Sequence, residues 1–462
     1  MTAYWLERAL LDDSVQDSVR VEIQDGAFTE VEAGGGSDGA ERLAGLTIPG
    51  FANCHSHAFH RALRGRAQRG GGTFWTWRKQ MYAVAERLDP DTYYALARAT
   101  YREMVVAGIT TVGEFHYLHH GRDGTPYDDP NEMGRALHQA AEDAGIRIVL
   151  LDTCYLAAGI GREPEGVQRR FSDGSADGWA ARVDDLTASG RAVTHAAVPT
   201  AGRAISGPSS GSVRAPAAVG AAVHSVRAVP RDEIAVVAAW ADDHGAPLHV
   251  HLSEQVAEND ECHAAYGLTP TELLAEAGAL GQRTTAVHAT HLTDRDIALL
   301  GRSSTYSCFC PTTERDLGDG IGPSRRLAAA GSRLTLGSDS HAVVDMFEEM
   351  RAVELDERLA TQRRGHWSAV ELLAAAAYDG HRSLGLGSTG RIEVGHRADL
   401  VTLDTGSPRT AGTGADDGTA VFAATSADVV HVVRDGGVVA TAEDRRQIGE
   451  ELDAAIRRVW ED

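Results

Sequence analysis

The chain has 462 residues, with 44 basic and 66 acidic side chains and a formal net charge of −22. That balance argues against a nucleic-acid or anionic-membrane partner, because binding phosphates needs a concentrated positive field. At 43% hydrophobic and 24% charged residues the composition is globular and the length ample for a large core, while no apolar run approaches the ~18 residues of a membrane-spanning helix.

The N-terminus, MTAYWLERALLDDS, lacks a basic region followed by an apolar stretch, so no secretory signal is expected. Five cysteines (Cys54, Cys154, Cys262, Cys308 and Cys310), odd in number and thinly spread, fit reduced thiols and a cytoplasmic location. Val19, Val21 and Ile23 alternate towards an Asp25-Gly26 turn, the pattern of a hairpin. Residues 390–442 mirror this with a second Asp-Gly turn at Asp435-Gly436. Residues 1–46 and 390–442 are therefore expected to form one small β-sandwich domain from both chain ends, followed by a C-terminal helix over 443–462.

Between them, apolar segments near 47–54, 109–117, 146–155, 219–226, 247–252, 284–289, 303–309 and 333–338 alternate with amphipathic stretches such as 231–243, 268–279 and 293–300. Eight strands predict an α/β fold, a (β/α)8 barrel over residues 47–389. The competing doubly wound sheet lacks a G-x-G-x-x-G after any strand. Residues 203–216, rich in Gly, Ser and Pro, read as a mobile surface loop.

Ligand-type residues fall where these strands end. His55 and His57 close the first strand, and residues i and i+2 of a strand point to one side. PLHVHLSE offers His249, His251 and Glu254; His288 ends the sixth strand and Asp339 the eighth. Side chains at the C-terminal rim of a barrel can converge on one metal ion. The bland readings differ by residue. His116, His119 and His120 are expected at the pocket wall or surface, His291 and His341 in supporting roles, and Cys308 and Cys310 as buried thiols of an apolar strand. From His60 to Lys79 there are five arginines, one lysine and no acid. Arg64, Arg66 and Arg69 read as a solvated basic loop. Arg78, flanked by Trp75 and Trp77 in an otherwise apolar run, reads as a buried binding residue, and Trp75 and Trp77 serve packing or function equally well.

The motifs PGFANCHSH, HLSE, VHATH and GSDSH resemble the amidohydrolase superfamily over nearly the whole chain. The resemblance implies His55, His57, His251 and Asp339 as metal ligands, favouring His251 over His249, with Glu254, His288 and Asp339 as catalytic groups. Lys79 is the only lysine in the chain and lies off the fourth strand. The lysine-bridged binuclear arrangement is thus excluded, and one zinc per chain is expected, with iron as the alternative. HSHAFHRAL, FWTWRKQMY, EFHYLHH, VQRRFSDGS, AVHSVRAV, HLSEQVAENDEC and LGDGIGP are similar to the formimidoylglutamate deiminases. That implies hydrolytic deamination of N-formimino-L-glutamate in histidine degradation, by a homodimer whose small dicarboxylate substrate meets His60, Arg78, Tyr117, His224 and Arg227. His60 departs from the pattern, which has glutamine there. The planar arginine fork suits carboxylates. The rivals are a deaminase acting on a guanine-like or triazine-like ring, and a non-catalytic barrel that scaffolds an assembly.

Overall fold

The computed structural model describes residues 2–68, 74–189 and 218–461; the 203–216 loop and Arg69 lie outside the described residues. Both chain ends contribute to a small β unit. Strands β1 (Thr2–Leu11), β2 (Ser14–Gln24), β3 (Ala27–Ala33) and β4 (Glu41–Pro49) come from the start of the chain. Strands β13 (Leu400–Leu403), β14 (Val429–Arg434) and β15 (Gly437–Thr441) come from its end. They hydrogen-bond into one continuous seven-stranded sheet, ordered β15-β14-β13-β4-β1-β2-β3, rather than two separately bonded layers. Both Asp-Gly turns are where the sequence places them: Asp25 and Gly26 have φ of 53° and 79°, and Asp435 and Gly436 have 51° and 79°. Two successive left-handed residues match the right-handed twist of the flanking strands.

The second sheet holds eight parallel strands in chain order: β5 (Phe51–Ser56), β6 (Ile109–His116), β7 (Arg147–Cys154), β8 (Ala218–Val223), β9 (Leu248–Leu252), β10 (Thr284–His288), β11 (Tyr306–Phe309) and β12 (Leu334–Leu336). A parallel bridge between Ser56 and Asp339 and a hydrogen bond from the Ser338 N–H to the His55 carbonyl (3.1 Å) bring the last strand back to the first. The result is a nearly closed (β/α)8 barrel. Helices Arg231–Asp243, Pro270–Glu276 and Asp294–Arg302 fall on the expected amphipathic stretches.

The apolar run 47–54 is not one strand. Residues up to Pro49 pair with β13 in the terminal sheet, and the barrel begins at Phe51. Gly50 is the crossing point: a Cβ there would sit 2.5 Å from Thr110 Oγ1, so only glycine passes between the two sheets. An ion network fastens them beside this point, with Arg147 of β7 donating to Asp399 and to Asp435, each at 2.6 Å. The helix Arg445–Glu461 lies against the helix Pro90–Val106 through Arg98 and Arg102, both paired with Glu451, and Trp460 Nε1 donates to the Ala62 carbonyl (3.0 Å).

Candidate metal centre and pocket

The C-terminal ends of the strands gather the ligand-type residues. His55 and His57 leave β5 on one side, as strand periodicity requires. His55 Nε2 and His57 Nε2 each lie 3.3 Å from Asp339 Oδ1, and His251 Nε2 lies 3.0 Å from His55 Nε2. All four side chains are buried and form one cluster. The segment after β5 is held by Glu114 of β6, whose carboxylate accepts from the Ala58 N–H (2.6 Å) and from Ser56 Oγ (2.7 Å). Burial pushes Glu114 up to about 7 against those bonds.

The tautomers follow from the outer hydrogen bonds. His57 Nδ1 meets the Phe115 carbonyl and His251 Nδ1 the His224 carbonyl, both at 2.9 Å. A carbonyl only accepts, so each Nδ1 carries the proton and each Nε2 turns a lone pair inward. Burial lowers His55 to about 4 and His251 well below its ordinary value, so both rings are neutral. Inward-facing lone pairs and a carboxylate, all dry, repel one another unless a cation lies among them. Three of the spacings within the cluster are 3.0–3.3 Å, the separation expected of donors that share one ion with bonds of ~2.0 Å. The donor set therefore fits a metal ion. His249 is buried outside the cluster, one layer down the same strand face.

The backbone is strained at the same level. Ser253, His288, Ala289, Asp339 and His341 have φ of 50°, 69°, 48°, 39° and 56°. Such left-handed non-glycine residues cost energy and persist where surrounding structure over-determines them.

A cavity of about 770 Å³ opens beside the cluster, and every expected site residue except His55 lines it. Glu254 Oε1 is 3.9 Å from His288 Nε2, which is 3.9 Å from Asp339 Oδ2. Arg227 faces Glu254 (3.6 Å) and is gripped by the fully buried Glu258 (3.2 Å). His60 Nε2 and Tyr117 Oη are 3.0 Å apart, and His224 stacks edge-on against Tyr155. Arg78 is half-buried rather than buried, because its helix, Phe74–Arg87, lies over the cavity mouth. It has aromatic neighbours, Trp75 and Tyr82 at 5.5 and 5.1 Å, and donates from Nε to Tyr82 Oη at 2.6 Å.

Several expectations change. Arg64, with Arg61, pairs with Glu103 at 2.6 Å and so is not free in solvent, while Arg66 is exposed as expected and lies over Trp460; none of these three lines the cavity. His116, His119 and His120 are neither pocket wall nor surface. They are buried beside Asp152 and Asp173, and Arg182 spans both carboxylates at 2.8 Å. His116, His119 and Asp152 are close enough to hold a cation, but the guanidinium already supplies the positive charge there. His341 contacts Ser56 Oγ (3.0 Å), the supporting role expected.

Sequence reasoning missed Glu258, Glu314, Tyr82, Tyr155, Gln168 and Arg162. Glu314 Oε1 lies 3.3 Å from His288 Nδ1 and accepts from the Cys310 N–H at 2.9 Å, so a fixed carboxylate backs the ring. Burial opposes the charged form of His288, but Glu254, Glu314 and Asp339 together hold its pKa well above the ordinary value. The signal for Glu258 was its place four residues after Glu254, in the first turn of the helix Val256–Tyr266; Glu314 carried none, since its partner is 26 residues away.

Residues 46–439 match the profile of the amidohydrolase family. The formimidoylglutamate deiminase of Pseudomonas aeruginosa is 39% identical over 422 residues, covering 88% of this chain and 87% of that protein. A 5-methylthioadenosine/S-adenosylhomocysteine deaminase of Pelotomaculum thermopropionicum is 28% identical, over 87% of this chain and 82% of its own. Among solved structures, an amidohydrolase from Brucella melitensis superposes with a TM-score of 0.84 at 29% identity, covering 100% of both chains.

Proposed function

The chain belongs to the amidohydrolase family, hydrolases acting on C–N bonds, and from that premise we propose that it deaminates N-formimino-L-glutamate to N-formyl-L-glutamate and ammonia, a step of histidine degradation. The observation that carries the reading is one cavity combining a His55–His57–His251–Asp339 cluster, Glu254 and His288 with the guanidiniums of Arg78 and Arg227. An amidine carbon needs the first group, and a dicarboxylate needs the second.

His55, His57, His251 and Asp339 would hold one zinc ion, iron being compatible with the same nitrogen and oxygen donors. The chemistry such an ion supplies when bound is Lewis acidity, including a water acidic enough to ionise near pH ~7. The chain's own residues do the rest. Asp339 receives the proton of the attacking water on its carboxylate. His288, backed by Glu314, presents its Nε2–H to the oxygen that develops charge. Glu254 passes the proton that Asp339 received to the formimino nitrogen, and the hydroxyl proton of the resulting geminal amino-alcohol follows the same route, so that C–N cleavage releases ammonia, leaves the formyl carbonyl and returns both carboxylates to their starting state. Tyr117 and His224 line the substrate's path, and His60 takes the position next to Tyr117.

A cytoplasmic homodimer belongs to the same proposal. All five cysteines are free and buried, which suits a reducing compartment, and no described helix is long and apolar enough to cross a membrane. The dimer rests on resemblance alone. A second reading, deamination of a purine-like ring, has support from the 28% identical relative and from aromatic rings on the cavity wall. Incubating the zinc-loaded protein with N-formimino-L-glutamate and, separately, with aminopurines separates the two. Formylglutamate with stoichiometric ammonia supports the proposal; glutamate with formamide reassigns the bond; turnover of aminopurines alone overturns the substrate.

Arg78→Met is the clean probe of carboxylate binding. Arg227 cannot serve, because its removal would leave Glu258 buried without its cation. Among the described residues Arg78 hydrogen-bonds only a phenol, so its loss should raise KM for formiminoglutamate by ~10–100-fold, the worth of one charged hydrogen bond, with kcat nearly kept. An unchanged KM in steady-state assays would remove Arg78 from the binding site.

A further inference from the structure

Tyr82 and Tyr155 line the cavity, and both hydroxyls are bonded from behind by one side chain. Gln168 is buried on the short 3-10 helix Gly166–Phe171. The Glu165 N–H donates to its Oε1 at 3.4 Å, which turns the amide nitrogen towards the phenols. Nε2 donates to Tyr155 Oη at 2.7 Å and to Tyr82 Oη at 3.1 Å. Tyr82 Oη also receives Arg78 Nε at 2.6 Å. An amide NH2 group only donates, so both phenol oxygens act as acceptors towards it and keep their own O–H for another partner. Even where the two hydroxyls bond each other, one O–H is left to give.

The same wall carries two guanidiniums. Both Arg78 and Arg227 lie close enough to Tyr155 to interact with it electrostatically. Guanidinium N–H groups and phenol O–H groups are all donors, a combination that fits anionic oxygens. A ligand amide or ammonium facing this wall would find too few acceptors.

We propose that Gln168 is a positioning residue that commits Tyr82 and Tyr155 to donating hydrogen bonds, so that this wall selects a substrate carboxylate. The inference rests on the dicarboxylate reading above and adds to it the residues that orient the anion's donors. Gln168 touches the substrate only through the two tyrosines.

The test is steady-state kinetics of the zinc-loaded enzyme on N-formimino-L-glutamate. Gln168→Met, close in size and unable to donate, should raise KM about tenfold with kcat within about threefold, in line with losing oriented donors to a charged group. The decisive comparison is a Tyr82→Phe/Tyr155→Phe background, in which both hydroxyls are gone. There, adding Gln168→Met should move KM by less than about twofold, because couplings through a shared group are not additive. A residue that merely supports the fold would lower kcat or stability equally in both backgrounds. KM unmoved by Gln168→Met, or moved equally in the two backgrounds, overturns the inference while leaving the substrate intact. No turnover by the unmutated enzyme overturns the substrate and the inference together. Should Gln168→Met fail to fold, the double phenylalanine variant alone decides: an unchanged KM refutes the role of the hydroxyls.

Discussion

Glu254→Gln should lower kcat for formiminoglutamate by about 10²–10⁴-fold, the usual worth of a positioned acid–base group. The amide keeps the volume of the carboxyl but cannot pick up and return a proton, so cavity shape and the four metal-type ligands stay intact. The geometry makes Glu254 the natural shuttle. It is buried, its Oε1 faces His288 Nε2 at 3.9 Å, and its Oε2 lies 3.6 Å from Arg227. It reaches both the reacting side of the cavity and the anion-binding side. KM should change less than kcat, because the lost interaction belongs to the transition state. Ammonia release with parallel metal analysis checks this. A variant with full metal and unchanged kcat would show that proton transfer to nitrogen runs through another group.

Arg182→Met should destabilise the protein by roughly 3–5 kcal/mol at about pH 7.5, the cost of leaving buried charges without their partner. Arg182 is buried and bonds Asp152 through both terminal nitrogens (2.8 and 3.0 Å) and Asp173 through Nε (2.8 Å). Burial alone would raise both carboxyls. For Asp152 the guanidinium is the main counterweight, and for Asp173 a hydrogen bond from His120 comes first and the guanidinium second, so both sit below their usual values. Groups depressed on folding stabilise the intact protein above their unfolded values, and that stabilisation is lost only as the pH falls through the folded ones. In the variant no guanidinium opposes burial at Asp152, its folded carboxyl rises above the unfolded value, and stability falls as pH rises through it. The deficit should therefore shrink at about pH 5. Urea unfolding followed through Trp179, whose Nε1 donates to Asp152 Oδ1 at 2.9 Å, reads it directly. A deficit below about 1 kcal/mol, or one equal at both pH values, would mean that charge compensation is not what Arg182 supplies.

Much of the centre was legible because strand geometry is local. His55 and His57 share a side by the two-residue repeat, and His251, His288 and Asp339 each end an apolar run, so a barrel rim collects them without further information. Likewise, Asp25-Gly26 and Asp435-Gly436 demand left-handed turns whatever the surroundings. The run 47–54 was misread for the same local reason. Nothing in its hydropathy marks that Pro49 belongs to one sheet and Phe51 to another; the pairing of Leu400 with Pro49 decides it.

What the sequence by itself determined is the alternation of strands and helices, the turn positions and the residue types at the strand ends. Tertiary structure alone decided which charges compensate which. Arg61 and Arg64 were spent on Glu103, Arg182 on Asp152 and Asp173, and Arg227 on Glu258, while Arg78 faces a cavity with only a phenol to bond among the described residues. The physical reason is range. Periodicity acts over a few residues and is written in the order of the chain. Coulomb attraction and desolvation act through space between groups tens to hundreds of residues apart, and their outcome exists only once the barrel has closed.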